Sequence, residues 1–114
     1  MKKITLGLTL FLNILLTACS EPIPADKKNY IGQWMSVDSQ VTLLIEAKGQ
    51  LQFSNKKPRQ QLSISGAVKS FPPDSLRVST IPFSTDLQVD QTPYQDQQGH
   101  WFMVVNGYTL AKRD

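Results

Sequence analysis

The sequence predicts an all-β domain, either a small antiparallel β-barrel or a β-sandwich, of about seven or eight short strands. The first observation is that apolar and polar residues alternate with a period of two, as in strands that bury one face. The second is that turn residues separate these runs. The third is that no stretch from Tyr30 onward repeats with the period of an amphipathic helix.

Residues 1–18 are interpreted as a secretory signal peptide. Lys2 and Lys3 form a basic head, residues 4–16 form a largely apolar run, and small residues follow. This order is typical of secretory leaders, and a membrane-spanning helix needs a longer run of about 20 apolar residues. The alternative is a buried N-terminal helix of the folded domain, which leaves the basic head and the small residues unexplained.

The leader ends at the single cysteine of the chain, Cys19. The preceding residues, in Leu16-Thr17-Ala18-Cys19, resemble the lipobox of bacterial lipoproteins. This resemblance implies cleavage before Cys19, a diacylglyceryl group on its sulfur, and an acyl group such as palmitate on the new amine. Because Ser20 and not Asp follows the cysteine, the chain resembles the outer-membrane class, which faces the periplasm. The alternative is an ordinary signal peptide that ends near a cysteine.

The chain after the leader is expected to contain a tether and one domain. Residues 19–28 are predicted to be the lipidated cysteine and a flexible tether, because Pro22 and Pro24 disfavour both helix and sheet. Residues 29–114 are predicted to form a single β-domain. With Cys19 acylated, such a domain has no disulfide and depends on its apolar core for stability.

Five alternating runs are expected to be strands with one buried face. Their apolar positions are Val41, Leu43 and Ile45; Leu51 and Phe53; Leu62 and Ile64; Leu76 and Val78; and Leu87 and Val89. Breaks are expected at residues 47–50, 71–75 and 97–99, which contain glycine or proline.

The clearest turn signal is Asn106-Gly107 between two apolar runs, because both positions of such a hairpin turn favour positive φ. This turn predicts that Val105 faces Tyr108 and that Met103 faces Leu110 across the hairpin. One face is then the candidate core, and the other points away from it. The first contains Trp101, Met103, Val105, Tyr108 and Leu110, and the second contains Phe102, Val104, Thr109 and Ala111.

Two further resemblances concern the fold. Gly32-Gln33-Trp34 is similar to the Gly-x-Trp of lipocalin-type first strands, in which the Trp closes one end of the barrel. Residues 30–112 resemble small secreted β-domains of bacteria that have no established activity. The shared pattern is Gly-x-Trp at the start and Trp-x-Met-x-Val-Asn-Gly-x-x-Leu at the end. These resemblances imply a β-fold and imply no reaction.

No catalytic residue is predicted, and the chain is expected not to be an enzyme. Its one histidine, His100, begins a predicted strand, and no G-x-S-x-G nucleophile elbow is present. Cys19 is expected to carry the lipid anchor, so its sulfur is not a candidate nucleophile. A hydrolase that uses His100 as its base is the third functional hypothesis, and it lacks an identifiable nucleophile.

No metal, cofactor or nucleic-acid site is predicted. One histidine and the scattered carboxylates of Asp86, Asp90 and Asp96 do not provide a set of metal ligands. No phosphate-binding glycine loop occurs. The net charge of +3 includes the two leader lysines, so it is not interpreted as a sign of nucleic-acid binding.

Two features are candidates for partner binding. Lys56, Lys57 and Arg59 lie in a predicted hairpin loop, where they could contact lipid headgroups, lipopolysaccharide phosphates or an acidic partner. The alternative is a solvated loop tip. Phe102 and Val104 make their strand apolar on both faces, so they are either covered or form a surface patch for a protein partner.

The leading functional hypothesis is a non-catalytic binding or accessory lipoprotein of the bacterial cell envelope, anchored through Cys19 and contacting a protein partner. A specific form of it is an inhibitor of an enzyme that attacks the cell wall. The alternative is a carrier of a small apolar ligand or lipid, with a cavity behind Trp34 and Trp101. A structural role specific to one lineage is also left open by the sequence.

Overall fold

The computed structural model describes residues 21–80 and 83–113. These residues form a closed barrel of eight antiparallel strands, so the predicted all-β fold is confirmed and the barrel is the correct architecture. The strands are β1 (Gly32–Met35), β2 (Val41–Ile45), β3 (Gln50–Asn55), β4 (Leu62–Ser70), β5 (Ser75–Ser79), β6 (Ser84–Gln95), β7 (Trp101–Val105) and β8 (Tyr108–Arg113).

The strands follow one another around the barrel in sequence order, and β8 closes the barrel by pairing with β1. Trp34 of β1 lies opposite Leu43 of β2 on one side and Lys112 of β8 on the other. This arrangement needs only short connections between neighbouring strands, and the breaks predicted at residues 47–50, 71–75, 97–99 and 106–107 coincide with four of them.

The interior is filled by the alternating apolar side chains. Trp34 and Phe53 are the largest fully buried residues, with exposed fractions of 0% and 1%. Ten of the eleven apolar positions predicted from the alternating runs are buried inside the barrel, and the eleventh, Leu62, is 45% exposed at one end. An eight-stranded barrel is just wide enough for side chains to fill it, and this filled interior is the hydrophobic core.

The barrel has two ends. The connections β1–β2, β3–β4, β5–β6 and β7–β8 lie at one end, which we call the distal end. The described N-terminal segment, the C-terminal end of β8 and the other connections lie at the opposite, proximal end. Indole Nε1 of Trp34 donates a hydrogen bond of 2.9 Å to the carbonyl of Tyr30 there. Lys112 Nζ lies 4.9 Å from the ring centroid of Trp34 and 5.4 Å from that of Trp101.

The N-terminal segment differs from the expected tether. Residues Ala25–Tyr30 form a 3₁₀ helix that begins directly after Pro24, and Tyr30 is buried. The Ile23 amide donates a 2.9 Å hydrogen bond to the Ala47 carbonyl, and the Ile23 side chain packs against the core. The barrel unit therefore includes residues from Ile23 onward. Proline disfavours helix interiors but not helix starts, so its presence did not exclude this short helix.

Two strands are longer than the alternating runs suggested. β4 has nine residues and β6 has twelve, and each pairs with one neighbour along its first part and with another along its second. Pairing shifts between Val89 and Gln91 and again between Gln91 and Tyr94. Such irregularities let a long strand bend around a small barrel. No helix in the described ranges is long and apolar enough to cross a membrane.

Candidate functional site

The β7–β8 hairpin has the predicted turn. Asn106 and Gly107 have φ values of 51° and 83°, and Val105 and Met103 face Tyr108 and Leu110 as expected. The Asp90 carboxylate of β6 accepts a 2.7 Å hydrogen bond from the Gly107 amide. This contact ties the turn to the neighbouring strand β6.

Phe102 and Val104 lie on that outward face and are partly exposed. The Phe102 ring stacks on Tyr94 of β6, with ring centroids 5.8 Å apart and an interplanar angle of 30°. Val104 lies opposite Gln91 and Thr109. We call Tyr94, Phe102 and Val104 the aromatic patch. The eight strands form one barrel layer, so no second sheet of the described residues packs on this patch.

Tyr94 was not identified from the sequence. Pro93 precedes it, and a proline within a run argues against a strand interior. Two shifts of pairing along β6 bring Tyr94 opposite Phe102. An alternating pattern does not reveal such shifts, so the sequence predicted Phe102 and missed the aromatic side chain that supports it.

The predicted basic loop is the β3–β4 connection, residues 56–61. Lys57 Nζ lies 2.8 Å from Asp38 Oδ2 and 5.5 Å from the Tyr108 ring centroid. Hydrogen bonding to Asp38 raises the pKa of Lys57, and hydrogen bonds from Lys57, Ser36 and the Gln40 amide hold the pKa of Asp38 well below its usual range. Lys57 is therefore engaged within the protein.

The same loop reaches across the distal end of the barrel. The Lys56 amide donates a 2.9 Å hydrogen bond to the Gln40 carbonyl, and the Tyr108 hydroxyl donates one to Gln60 Oε1. The side chains of Lys56 and Arg59 are exposed and form no ion pair with a described residue. They are the two bases of the predicted cluster that remain available to a partner.

His100 is a surface residue beside Asp96. Its Nδ1 lies 3.5 Å from Asp96 Oδ2, and Asp96 Oδ1 accepts 2.9 Å hydrogen bonds from the amides of His100 and Gln98. The backbone hydrogen bond from His100 is the largest cause that lowers the pKa of Asp96. Asp96 thus stabilises the β6–β7 connection, and the contact between His100 and Asp96 has a structural role in this loop.

The other predicted carboxylates also have structural partners. Asp86 pairs with Arg77 at 3.0 Å, which lowers the pKa of Asp86, and Asp90 holds the β7–β8 turn. Within residues 21–80 and 83–113 no group of three or more His, Cys, Asp or Glu residues is placed to hold a metal ion. Cys19, the predicted lipidation site, lies outside the described residues.

The fold and these surfaces define a small up-and-down β-barrel with a filled interior, an outward aromatic patch and two exposed bases at its distal end. Comparison with protein-family models, with curated proteins and with solved structures gives no match for this chain.

Proposed function

We propose that this protein is a lipid-anchored lipoprotein of the bacterial envelope whose barrel is a non-catalytic binding domain for another envelope protein. The lipobox that ends at Cys19 supports the anchor, and Ser20 supports an outer-membrane location facing the periplasm. His100 and the carboxylates of Asp86, Asp90 and Asp96, which were considered as catalytic or metal-binding residues, contact other parts of the protein. This supports a binding role over an enzymatic one.

The observation that carries this proposal is the aromatic patch. Stacked Tyr94 and Phe102 lie 5.8 Å apart on the outer surface, and Val104 extends the patch along β7. Aromatic side chains are enriched at the centres of protein interfaces, because they bury large areas with few rotatable bonds. A partner that covers both rings and Val104 removes this apolar surface from water.

The filled interior favours this role over the alternative of a ligand carrier. A carrier needs an apolar cavity inside the barrel. Behind Trp34 the interior is occupied by fully buried side chains such as Leu43, Phe53 and Met103. The proposed binding role therefore uses the outer surface of the barrel.

The test is crosslinking in living cells of the full-length, C-terminally tagged protein, followed by mass spectrometry of the crosslinked products. Phe102→Asp places a charge on the aromatic patch. Leu44→Asp is the matched control, because Leu44 is also partly exposed and lies on a different strand, opposite Gln33 and Gln52.

We expect one envelope protein to be recovered with the wild type and with Leu44→Asp, and to be lost with Phe102→Asp. Circular dichroism must show the same fold for all three proteins. Equal recovery from Phe102→Asp and the wild type would exclude the patch as the binding surface. If the recovered protein degrades the cell wall, its activity is then measured with and without the barrel.

A further inference from the structure

One strand of the barrel has an open edge. β4 pairs with β3 from Leu62 to Ala67, but its pairing with β5 begins only at Ala67, opposite Ser79. Residues 62–65 therefore have no strand partner on the β5 side among the described residues, whereas Gly66 already lies against Ser79 of β5. The turn after β5 explains this, because the Thr80 amide donates a 2.8 Å hydrogen bond to the Phe83 carbonyl and the chain reverses there.

Backbone alternation identifies the groups on this edge. The Val68 amide donates a 2.8 Å hydrogen bond to the Gly49 carbonyl, toward β3. In an antiparallel ladder the backbone groups of successive residues point to opposite sides of the strand. Ile64 therefore bonds toward β3, and the N–H and C=O groups of Ser63 and Ser65 point to the open side.

A cleft lies beside this edge, with a volume of about 450 Å³. Ile64 and Leu87 contribute buried apolar surface, and Leu62 is 45% exposed at the distal end of the strand. Thr80 and Thr85 line the opposite wall. The cleft thus offers hydrogen-bonding backbone on one side and apolar side chains beneath, as strand-binding sites do.

The charges of the β3–β4 connection, which adjoins the distal end of this edge, favour a negatively charged ligand. Lys56 and Arg59 lie in the connection just before β4, are exposed, and form no ion pair with a described residue. The one acidic residue that lines the cleft, Asp86, is paired with Arg77 at 3.0 Å. An acidic segment that lies along residues 62–65 would therefore meet unpaired positive charge at the β3–β4 connection.

We propose that the open edge of β4 binds an extended acidic segment of a partner protein, which adds to the barrel as an extra strand. Its backbone bonds to Ser63 and Ser65, and its inward side chains are apolar and contact Leu62 and the accessible part of Ile64. Its acidic side chains lie near Lys56 and Arg59. This site lies apart from the aromatic patch on β6 and β7, so the inference goes beyond the proposed function and is tested separately.

The test uses hydrogen exchange measured by NMR on the full-length protein in detergent. In the free protein, we expect the amides of Ser63 and Ser65 to exchange fast and those of Ile64 and Gly66 to be protected. The probe is a short capped peptide in which Asp and Val alternate, and its control has Lys in place of Asp. The acidic peptide should slow exchange at Ser63 and Ser65 by about tenfold or more, and the basic peptide should not.

Variants of the edge separate backbone pairing from side-chain contact. Ser65→Pro removes the N–H on the open side without removing a hydrogen bond to β3, and it should abolish the protection at Ser63. Ser65→Ala keeps the backbone and should retain it. Because a proline can disturb folding, a second variant, Lys56→Glu with Arg59→Glu, changes only exposed side chains and should also weaken peptide binding.

Three results would overturn the inference. They are equal protection of Ser63, Ile64 and Ser65 in the free protein, no slowing of exchange by the acidic peptide, and a dimer of this chain formed through β4. None of them changes the expected effect of Phe102→Asp on crosslinking, so a failure of this site is distinguishable from a failure of the proposed function.

Discussion

Lys57 Nζ and Asp38 Oδ2 lie 2.8 Å apart and join the β3–β4 connection to the β1–β2 connection. The two residues are 19 positions apart in the sequence. Asp38 Oδ1 also accepts a 2.6 Å hydrogen bond from the Ser36 hydroxyl, and this hydroxyl in turn accepts one of 3.1 Å from the Val41 amide. A single carboxylate therefore links two connections and the start of β2 at the distal end.

This arrangement predicts a loss of stability in acid. The pKa of Asp38 in the folded protein is lowered from its ordinary value of 3.8, so its contribution to stability is complete above about pH 5 and declines as the pH falls further. Asp38→Asn should lower the midpoint of thermal unfolding near neutral pH and should flatten its decrease in acid. Some slope should remain, because the pKa values of Asp86 and Asp96 are also lowered.

Circular dichroism melts over a series of pH values measure this effect. Asp74→Asn is the control, since Asp74 is an exposed aspartate with no ion-pair partner in the described part of the chain. It should follow the wild type. Parallel curves for Asp38→Asn and the wild type would show that the contacts of Asp38 do not stabilise the fold.

Local patterns predicted most of the barrel because its strands bury one face each. Met103, Val105 and Leu110 are fully buried as the alternation and the Asn-Gly turn required. The second half of β6 was less accessible to such reasoning, because Pro93 interrupts the run and two pairing shifts change which residues face inward. The 3₁₀ helix depends on contacts of Ile23 and Tyr30 with the core, which are not local.

The candidate surfaces were predicted to a smaller extent. Alternation correctly directed Phe102 and Val104 outward, but it could not show that Phe102 stacks on Tyr94. The sequence showed the cluster of Lys56, Lys57 and Arg59, but it did not show that Lys57 pairs with Asp38, which is 19 positions away. The open edge of β4 arises because β4 extends farther toward the distal end of the barrel than β5, which ends at Ser79 opposite Ala67. The residue pattern of neither strand reveals this difference in length.

A second prediction concerns the buried tryptophan of β1. Trp34 is 0% exposed and donates its 2.9 Å hydrogen bond to the Tyr30 carbonyl. Trp34→Ala should lower the free energy of unfolding by about 3–5 kcal/mol, because it leaves a cavity in the core. Trp101→Ala should cost less, because Trp101 is only partly buried. Urea unfolding followed by circular dichroism compares them, and an equal cost would contradict this account of the core.

A third prediction separates steric crowding from backbone strain at two glycines. A Cβ atom at residue 66 would lie 1.9 Å from the Ser79 carbonyl oxygen, whereas at residue 107 it would meet no atom within 4 Å. Gly66→Ala should push β4 and β5 apart and cost about 1–3 kcal/mol or more. Gly107→Ala should cost about 1 kcal/mol, because Gly107 has a φ of 83°.

Urea unfolding again provides the measurement, and hydrogen exchange locates the change. In Gly66→Ala, exchange should accelerate at Ala67 and Ser79, which pair across β4 and β5. In Gly107→Ala it should accelerate only near the β7–β8 turn. A Gly66→Ala protein as stable as the wild type would mean that β4 and β5 are farther apart than the structure places them.

The last prediction concerns the proposed anchor. Cys19→Ser removes the sulfur that would carry the diacylglyceryl group, so the variant should not incorporate labelled palmitate and should leave the detergent phase on partitioning. Each buried CH₂ group contributes about 0.8 kcal/mol to membrane binding, so losing two or three acyl chains should release the protein. Ser20→Asp keeps the sulfur and is the control. It should remain labelled. Because Asp after the cysteine is not typical of the outer-membrane class that the chain resembles, the variant should move to the inner membrane. A wild type without label, or a labelled Cys19→Ser, would reject the lipoprotein assignment.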